Sequence, residues 1–153
     1  MTDAQQPVFN IEKLYVKDLS VEVPNAPAIY LEREAPHTDV NMTTESHPIG
    51  DDIYNTTITV TVTSKIGDKT LFLVECTQGG IFRIQNVPQD QMPMVLGIGC
   101  PNIIFPYLRE TVSDVVIRAG FPPLLLNPVN FEALFMQQQQ QAQQQQAAPA
   151  QTH

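Results

Sequence analysis

The stretch Cys100–Phe135, CPNIIFPYLRETVSDVVIRAGFPPLLLNPVNFEALF, carries the strongest helical pattern in the chain. Ile104, Leu108, Val112, Val115, Val116 and Ala119 recur at three- and four-residue steps, which gathers them on one side of a helix. Glu110, Ser113 and Asp114 take the other side, and Asp114 precedes Arg118 by four residues, the favourable order for a helical ion pair. Pro106 lacks a backbone donor, so the helix is expected to start near it or bend there. Gly120 supplies the left-handed turn that ends a helix, and Pro122 and Pro123 stop it from resuming. An extended apolar connection follows to Pro128, and Asn130 is placed to cap a last helix that starts at Phe131.

Everything with a β pattern lies before this stretch. Phe9–Val23 alternates, with Leu19, Val21 and Val23 pointing one way and Asp18, Ser20 and Glu22 the other. Pro24-Asn25-Ala26-Pro27 ends it, and the following AIYLEREAPH has no period, which suits a long crossover. Thr38–Thr44 reads as a short strand with Val40 and Met42 on one face, and Ser46–Gly50 as a loop. Asp51 and Asp52 are paired carboxylates whose expected work is turn or helix capping. Ile53–Ser64 is the clearest strand, Ile58, Val60 and Val62 alternating with Thr57, Thr59, Thr61 and Thr63. The turn Ile66-Gly67-Asp68-Lys69 predicts a hairpin to a return strand, Leu71–Ile84. On it Phe72, Val74 and Cys76 face one way, and Leu71, Leu73 and Glu75 the other. Gly79-Gly80 marks a bulge or a close backbone approach, and Pro88–Leu96 a short helix. A sheet with one apolar face needs a cover, and the helix of the opening stretch is that cover. Residues 1–8 read as a flexible N-terminus, 9–136 as one domain, and 137–153 as a disordered Gln-rich tail, with nine glutamines between 137 and 146.

Composition excludes several functions. The net charge of −8 argues against nucleic acid or an anionic membrane as main partner. Ten of the sixteen acids fall in residues 1–52, and a solvated acidic surface is the plain reading of that bias. Cys76 and Cys100 lack CxxC spacing and a neighbouring histidine, so they predict buried free thiols in a reducing cytoplasm and no metal site. No apolar run approaches a membrane span, and the N-terminus lacks signal-peptide character. His37, His47 and His153 have no metal-ligand spacing, no serine sits in a nucleophile elbow, and no Gly-Lys-Ser or Gly-Lys-Thr follows Gly97 and Gly99. These patterns describe a protein that is not an enzyme and uses no cofactor. What stands out instead is apolar residues in irregular segments: Ile29, Tyr30, Leu31, Val40, Met42, Phe121, Leu124 to Leu126, Leu134 and Phe135. They pack into a core or interface, or they line an exposed groove for something apolar and extended.

Four blocks in order make the chain resemble the SecB family of bacterial protein-export chaperones over Phe9–Met136. They are Lys17-Asp18 with Glu22 and Pro24-Asn25-Ala26-Pro27; Gln78-Gly79-Gly80-Ile81-Phe82; Cys100-Pro101-Asn102-Ile103 with Phe105-Pro106-Tyr107; and Pro128-Val129-Asn130-Phe131 with Ala133-Leu134-Phe135. The resemblance implies an α+β fold, a four-stranded antiparallel sheet with helices packed on one face. It implies a cytoplasmic homotetramer, a dimer of dimers, that holds unfolded secretory preproteins without ATP and delivers them to the translocation ATPase SecA. The family's SecA-docking surface maps onto Asp18, Glu22, Leu73 and Glu75, and the partner is SecA's zinc-containing C-terminal tail, the zinc belonging to SecA. Strand parity agrees with that mapping if the two strands present these residues on one face. Val74, Cys76 and Gln78 fall on the opposite face, in the region the family uses for subunit assembly. The client groove is expected at Ile29, Tyr30, Val40, Met42, Leu124, Leu126, Leu134 and Phe135. A second reading is a SecB-like chaperone of a toxin–antitoxin system. The acidic pair with Leu73 and Glu75 favours export.

Overall fold

The computed structural model describes residues 5–147. Four antiparallel strands, β1 (Val8–Glu22), β2 (His37–Gly50), β3 (Ile53–Ile66) and β4 (Lys69–Gln85), form one sheet in the order β1-β4-β3-β2. Two hairpins explain the neighbours β2-β3 and β3-β4. Gly67 turns the second at φ 58°, and Asp52 turns the first at φ 60°. Asp52 also accepts from Ile84 N–H through its carbonyl, at 2.9 Å, so this pair of carboxylates serves the turn. The crossover after β1, with a 3-10 turn at Ala28–Leu31, carries the chain from one edge of the sheet to the other.

The helical half begins with a short turn, α1 (Met92–Met94), and a π-helical turn, Val95–Gly99, that runs directly into α2 (Cys100–Arg118). Helical structure therefore precedes Pro106, and the proline lies inside α2 at the cost of one backbone bond to the carbonyl of exposed Asn102. At the other end Gly120, at φ 93°, closes a Schellman motif: its N–H reaches Ile117 O at 2.9 Å and Phe121 N–H reaches Val116 O at 3.2 Å.

α2 lies over the two central strands, β3 and β4. Ile104, Leu108, Val112 and Val116 are fully buried against Ile58, Val60, Val62, Val74 and Cys76. The opposite face of the sheet carries Thr59, Thr61, Thr63, Leu73, Glu75 and Thr77, none of them buried. The α+β class, the antiparallel sheet and the one-sided helical cover are as the sequence predicts.

Three details differ from that reading. β2 continues through Ser46–Gly50, where a loop was expected; Pro48 is tolerated because β2 is an edge strand with no partner on one side. Leu71 is buried with Phe72, not outward with Leu73, because the ladder slips one residue between Ser64 and Lys65. The last helix, α3 (Phe131–Ala147), runs on through the glutamine stretch expected to be disordered. Glutamine is a good helix former, and a helix already started at Phe131 needs no new nucleus to continue. Asn130 Oδ1 caps it by accepting from Ala133 N–H at 3.0 Å. Residues 1–4 of the expected flexible N-terminus and 148–153 of the tail lie outside the described residues, while Val8 already belongs to β1.

Beyond Met136 every described side chain of α3 is exposed. Deleting residues 143–153 is expected to shift the melting temperature by no more than about 2 °C, since exposed positions change stability by less than about 0.5 kcal/mol. A calorimetric melt checks this, and a larger drop would mean that the glutamine helix is packed.

Candidate functional site

Two surfaces of different chemistry are built on this frame. The first is the open face of the sheet. In the β1-β4 ladder Ser20 pairs with Glu75, Glu22 with Leu73 and Asp18 with Thr77. Paired residues of an antiparallel ladder share a face, so Asp18, Glu22, Leu73 and Glu75 lie together on the side away from α2. A bulge between Val16 and Asp18 is what puts Asp18 there; an unbroken alternation would leave Val16 and Asp18 on one face. All three carboxylates are exposed, and none takes part in an ion pair among the described residues. The patch is flat, acidic and uncompensated, with half-buried Leu73 as its apolar element.

The second surface is apolar. Val40 and Met42 from edge strand β2, the connection Leu126-Asn127-Pro128-Val129 and Leu134 of α3 line an open cavity of about 380 Å³. Phe135 points to the neighbouring π turn, where its ring lies against Gly97; a Cβ on that glycine would come within 2.6 Å of the ring. Closer to the crossover, Tyr30, Pro36, Ile66, Leu71, Phe121 and Pro122 line a second cavity of about 360 Å³. Leu124 belongs to a smaller one beside it, which shares Pro36, Leu71, Phe121 and Pro122.

The expected groove residues therefore divide. Val40, Met42, Leu126 and Leu134 come together; Tyr30 and Leu124 line the adjoining space; Phe135 holds α3 in place. Ile29 is a core residue instead, 2% exposed, because the 3-10 turn directs it inward between the sheet and the helix end. Leu31, which projects fully from the same turn, was legible only as one of an apolar trio. Val74, Cys76 and Gln78, expected at a subunit interface, are likewise buried within the one chain, at 4% exposure or less. Their parity is as read, but that face is the one α2 covers. What borders them is the β1 row Val16, Leu19 and Val21, paired with Gln78, Cys76 and Val74 and left exposed.

Burial pushes the thiols of both Cys76 and Cys100 up to about 11, Asp18's charge adding to the effect at Cys76 and a Thr56 hydrogen bond opposing it at Cys100. Both stay protonated at neutral pH, which makes them packing residues and poor nucleophiles. Among the described residues no group of three His, Cys, Asp or Glu side chains is arranged to hold a metal ion, and no described helix is long and apolar enough to cross a membrane.

Comparison with known proteins bears on the same regions. Residues 2–142 match the family model described as preprotein translocase subunit SecB. The protein-export protein SecB of Thiobacillus denitrificans is 84% identical over 153 residues, covering all of both chains. That of Methylobacillus flagellatus is 62% identical over 134 residues, covering 88% of this chain and 85% of its own. Among solved structures, a SecB-like chaperone of Mycobacterium tuberculosis in complex with a ChAD peptide from an antitoxin superposes with a TM-score of 0.66, over 79% of this chain and 90% of that one. At 14% identity that likeness concerns the fold alone. The matched family model spans both the acidic face and the apolar groove, and with the full-length identity it settles the matter: this chain belongs to the SecB family of protein-export proteins.

Proposed function

We propose that this chain is an export chaperone that holds unfolded secretory preproteins in its apolar groove and passes them to SecA at its acidic sheet face, without hydrolysing ATP. The observation that carries the reading is the separation of the two surfaces. The groove at Val40, Met42, Leu126 and Leu134 and the patch at Asp18, Glu22, Leu73 and Glu75 share no residue, which allows client and partner to be held together. Extended chains are gripped by apolar contact and by backbone pairing, for which β2 offers a free edge. Low sequence selectivity follows, with tight overall binding by several weak contacts on one assembly.

That assembly is the homotetramer expected for the family, a dimer of dimers in the cytoplasm. Two features support a further copy near β1. Its apolar side chains Phe9, Ile11, Val16, Leu19 and Val21 are each more than a third exposed, and the Gln78 Oε1 beneath them is buried without a donor among the described residues. On this reading Val74, Cys76 and Gln78 act on assembly by fixing the position of β1, not by touching the neighbour. SecA's zinc-containing C-terminal tail is the proposed ligand of the acidic face, and the chaperone itself needs no metal. An antitoxin peptide is the ligand of the distant M. tuberculosis neighbour; here the acidic face favours export.

The direct test is light scattering of a chemically denatured preprotein diluted with and without this protein, alongside a native mass measurement. Suppressed scattering and a four-chain mass are expected; unsuppressed aggregation would overturn the chaperone reading. Serine in place of Val40, Met42 and Leu134 together is expected to weaken client capture about tenfold or more, since each apolar side chain fully buried by a client contributes up to about 1.5–3 kcal/mol. Titration of a labelled unfolded client checks this, and unchanged affinity would place the groove elsewhere.

A further inference from the structure

The crossover is tied to the helical half by a single half-exposed ring. Tyr30 stacks on Phe121 with ring centroids 5.2 Å apart, and Phe121 in turn lies 5.2 Å from Phe72, which is buried. The three rings form a column that begins at the surface and ends in the core. Tyr30 donates its hydroxyl proton to the carbonyl of Ala119, at 2.7 Å, the last helical residue before the Schellman glycine. Gly120 makes room for this approach, since a Cβ there would lie 3.1 Å from Tyr30 Cε1. On either side the crossover is held at the hairpin end of the sheet, by Asn25 Nδ2 to Thr70 O and by Lys69 Nζ to Glu32, both at 3.0 Å.

The arrangement is fastened yet easily released. Ile29 is in the core, but Tyr30 is 45% exposed and Leu31 is 83% exposed. Opening at Tyr30 would therefore uncover the flat of Phe121 and the two cavities that meet at it, while exposing little new surface of the crossover itself. The Ala119 carbonyl and the Tyr30 hydroxyl can both turn to water, so the bond between them is worth only its modest net value. The Lys69–Glu32 pair is exposed and adds little.

We infer that Tyr30 is a displaceable plug: in the unliganded chain it occupies the outer place of the aromatic column, and the crossover swings at Tyr30 to admit a client side chain onto Phe121. This rests on the reading of the groove as a client site and adds to it a gate with a named latch.

The test uses the full-length protein and its Tyr30→Phe and Tyr30→Ala variants. Tyr30→Phe keeps the stack and removes only the latch. Two quantities are read: hydrogen–deuterium exchange of the segment 24–36 without client, and the association rate of a fluorescein-labelled, reduced and carboxymethylated α-lactalbumin, which is permanently unfolded. Tyr30→Phe is expected to raise both by about two- to tenfold, the opening factor set by one net hydrogen bond. Tyr30→Ala, which also removes the ring, is expected to raise both further. Unchanged exchange in Tyr30→Phe overturns the latch. Faster exchange with an unchanged association rate overturns the gate, because the crossover would then move without admitting anything. A wild-type protein that captures no probe overturns the client reading and the gate with it, whereas wild-type capture that is indifferent to Tyr30 overturns the gate alone.

Discussion

Gly79→Val is expected to cost about 2–5 kcal/mol of stability, the largest single-site effect this fold predicts. Gly79 lies on central strand β4, paired with Tyr15 of β1 and Thr57 of β3. The Tyr15 ring lies directly across it, so that a Cβ on residue 79 would fall inside the ring. The glycine is required for space: its backbone is not in the left-handed region, so any residue could adopt its torsion angles. Moving Tyr15 aside has its own cost. Its hydroxyl donates to Asn55 Oδ1 at 2.6 Å, and Asn55 is a buried polar residue of β3. Overpacking accounts for about 1–3 kcal/mol, and the stranded amide oxygen of Asn55 for a similar amount. Urea unfolding followed by circular dichroism measures the sum. Gly50→Ala is the control, because its new methyl would meet Ile53 at an ordinary 3.8 Å. In a double-mutant cycle Tyr15→Ala should recover part of the Gly79→Val loss, since the two groups compete for one volume. Full additivity would show that the ring is not what the glycine accommodates.

The same pair of residues shows what sequence can and cannot convey. A Gly-Gly in the middle of a β pattern signals a bulge or a close backbone approach, and at Gly79 and Gly80 a close approach is found: by Tyr15 in one case, and by Phe82 and Ile104 in the other. Nothing local identifies Tyr15 as the visitor, because 64 positions separate it from Gly79 and only the register brings them together. Regularity was legible where one residue's neighbours are its sequence neighbours. The α2 stripe, the Gly67 turn and the alternation of β3 are of that kind.

The departures all involve partners distant in sequence. The bulges in β1 and the slip beside Ser64 depend on the facing strand, and they decide whether Asp18 joins Glu75 and whether Leu71 turns inward. Ser46–Gly50 reads as a loop because of its Pro48 and Gly50, yet pairing with Ile53–Thr56 keeps it extended. The groove was legible as a surplus of apolar side chains, but its shape was not. Val40 and Leu134 meet only because the sheet edge and the α3 start are brought together, and Ile29 was lost to the core by a turn of one residue relative to Tyr30.

Replacing Asp18 and Glu75 together with lysine is expected to abolish measurable docking of SecA's zinc-containing tail while leaving client capture and chain stability unchanged. Glu75 sits on a central strand and Asp18 on the neighbouring edge strand, one pair out of step on a shared face, so a basic ligand laid across the ladder meets both. Neither carboxylate has an ion-pair partner in the chain among the described residues, and reversal breaks no internal pair. Each reversal trades an attraction for a repulsion at close range; about tenfold per site, or roughly 1.4 kcal/mol, is a conservative expectation. The wild-type affinity should fall as salt rises, because exposed charges are screened within about 8–10 Å at physiological ionic strength. In the double variant that salt dependence should vanish or reverse sign. Asp90→Lys, a charge change of the same size on an exposed residue outside the sheet, separates a local effect from one of net charge. Calorimetric titration of the tail at two salt concentrations provides the measurement. If Asp90→Lys weakened binding as much as Glu75→Lys, long-range attraction by the whole acidic chain would account for the affinity, and the four-residue patch would lose its assignment. If only the patch variants failed, Leu73 becomes the next residue to test, since charge brings the ligand to the face but an apolar contact beside Glu75 is what would hold it there.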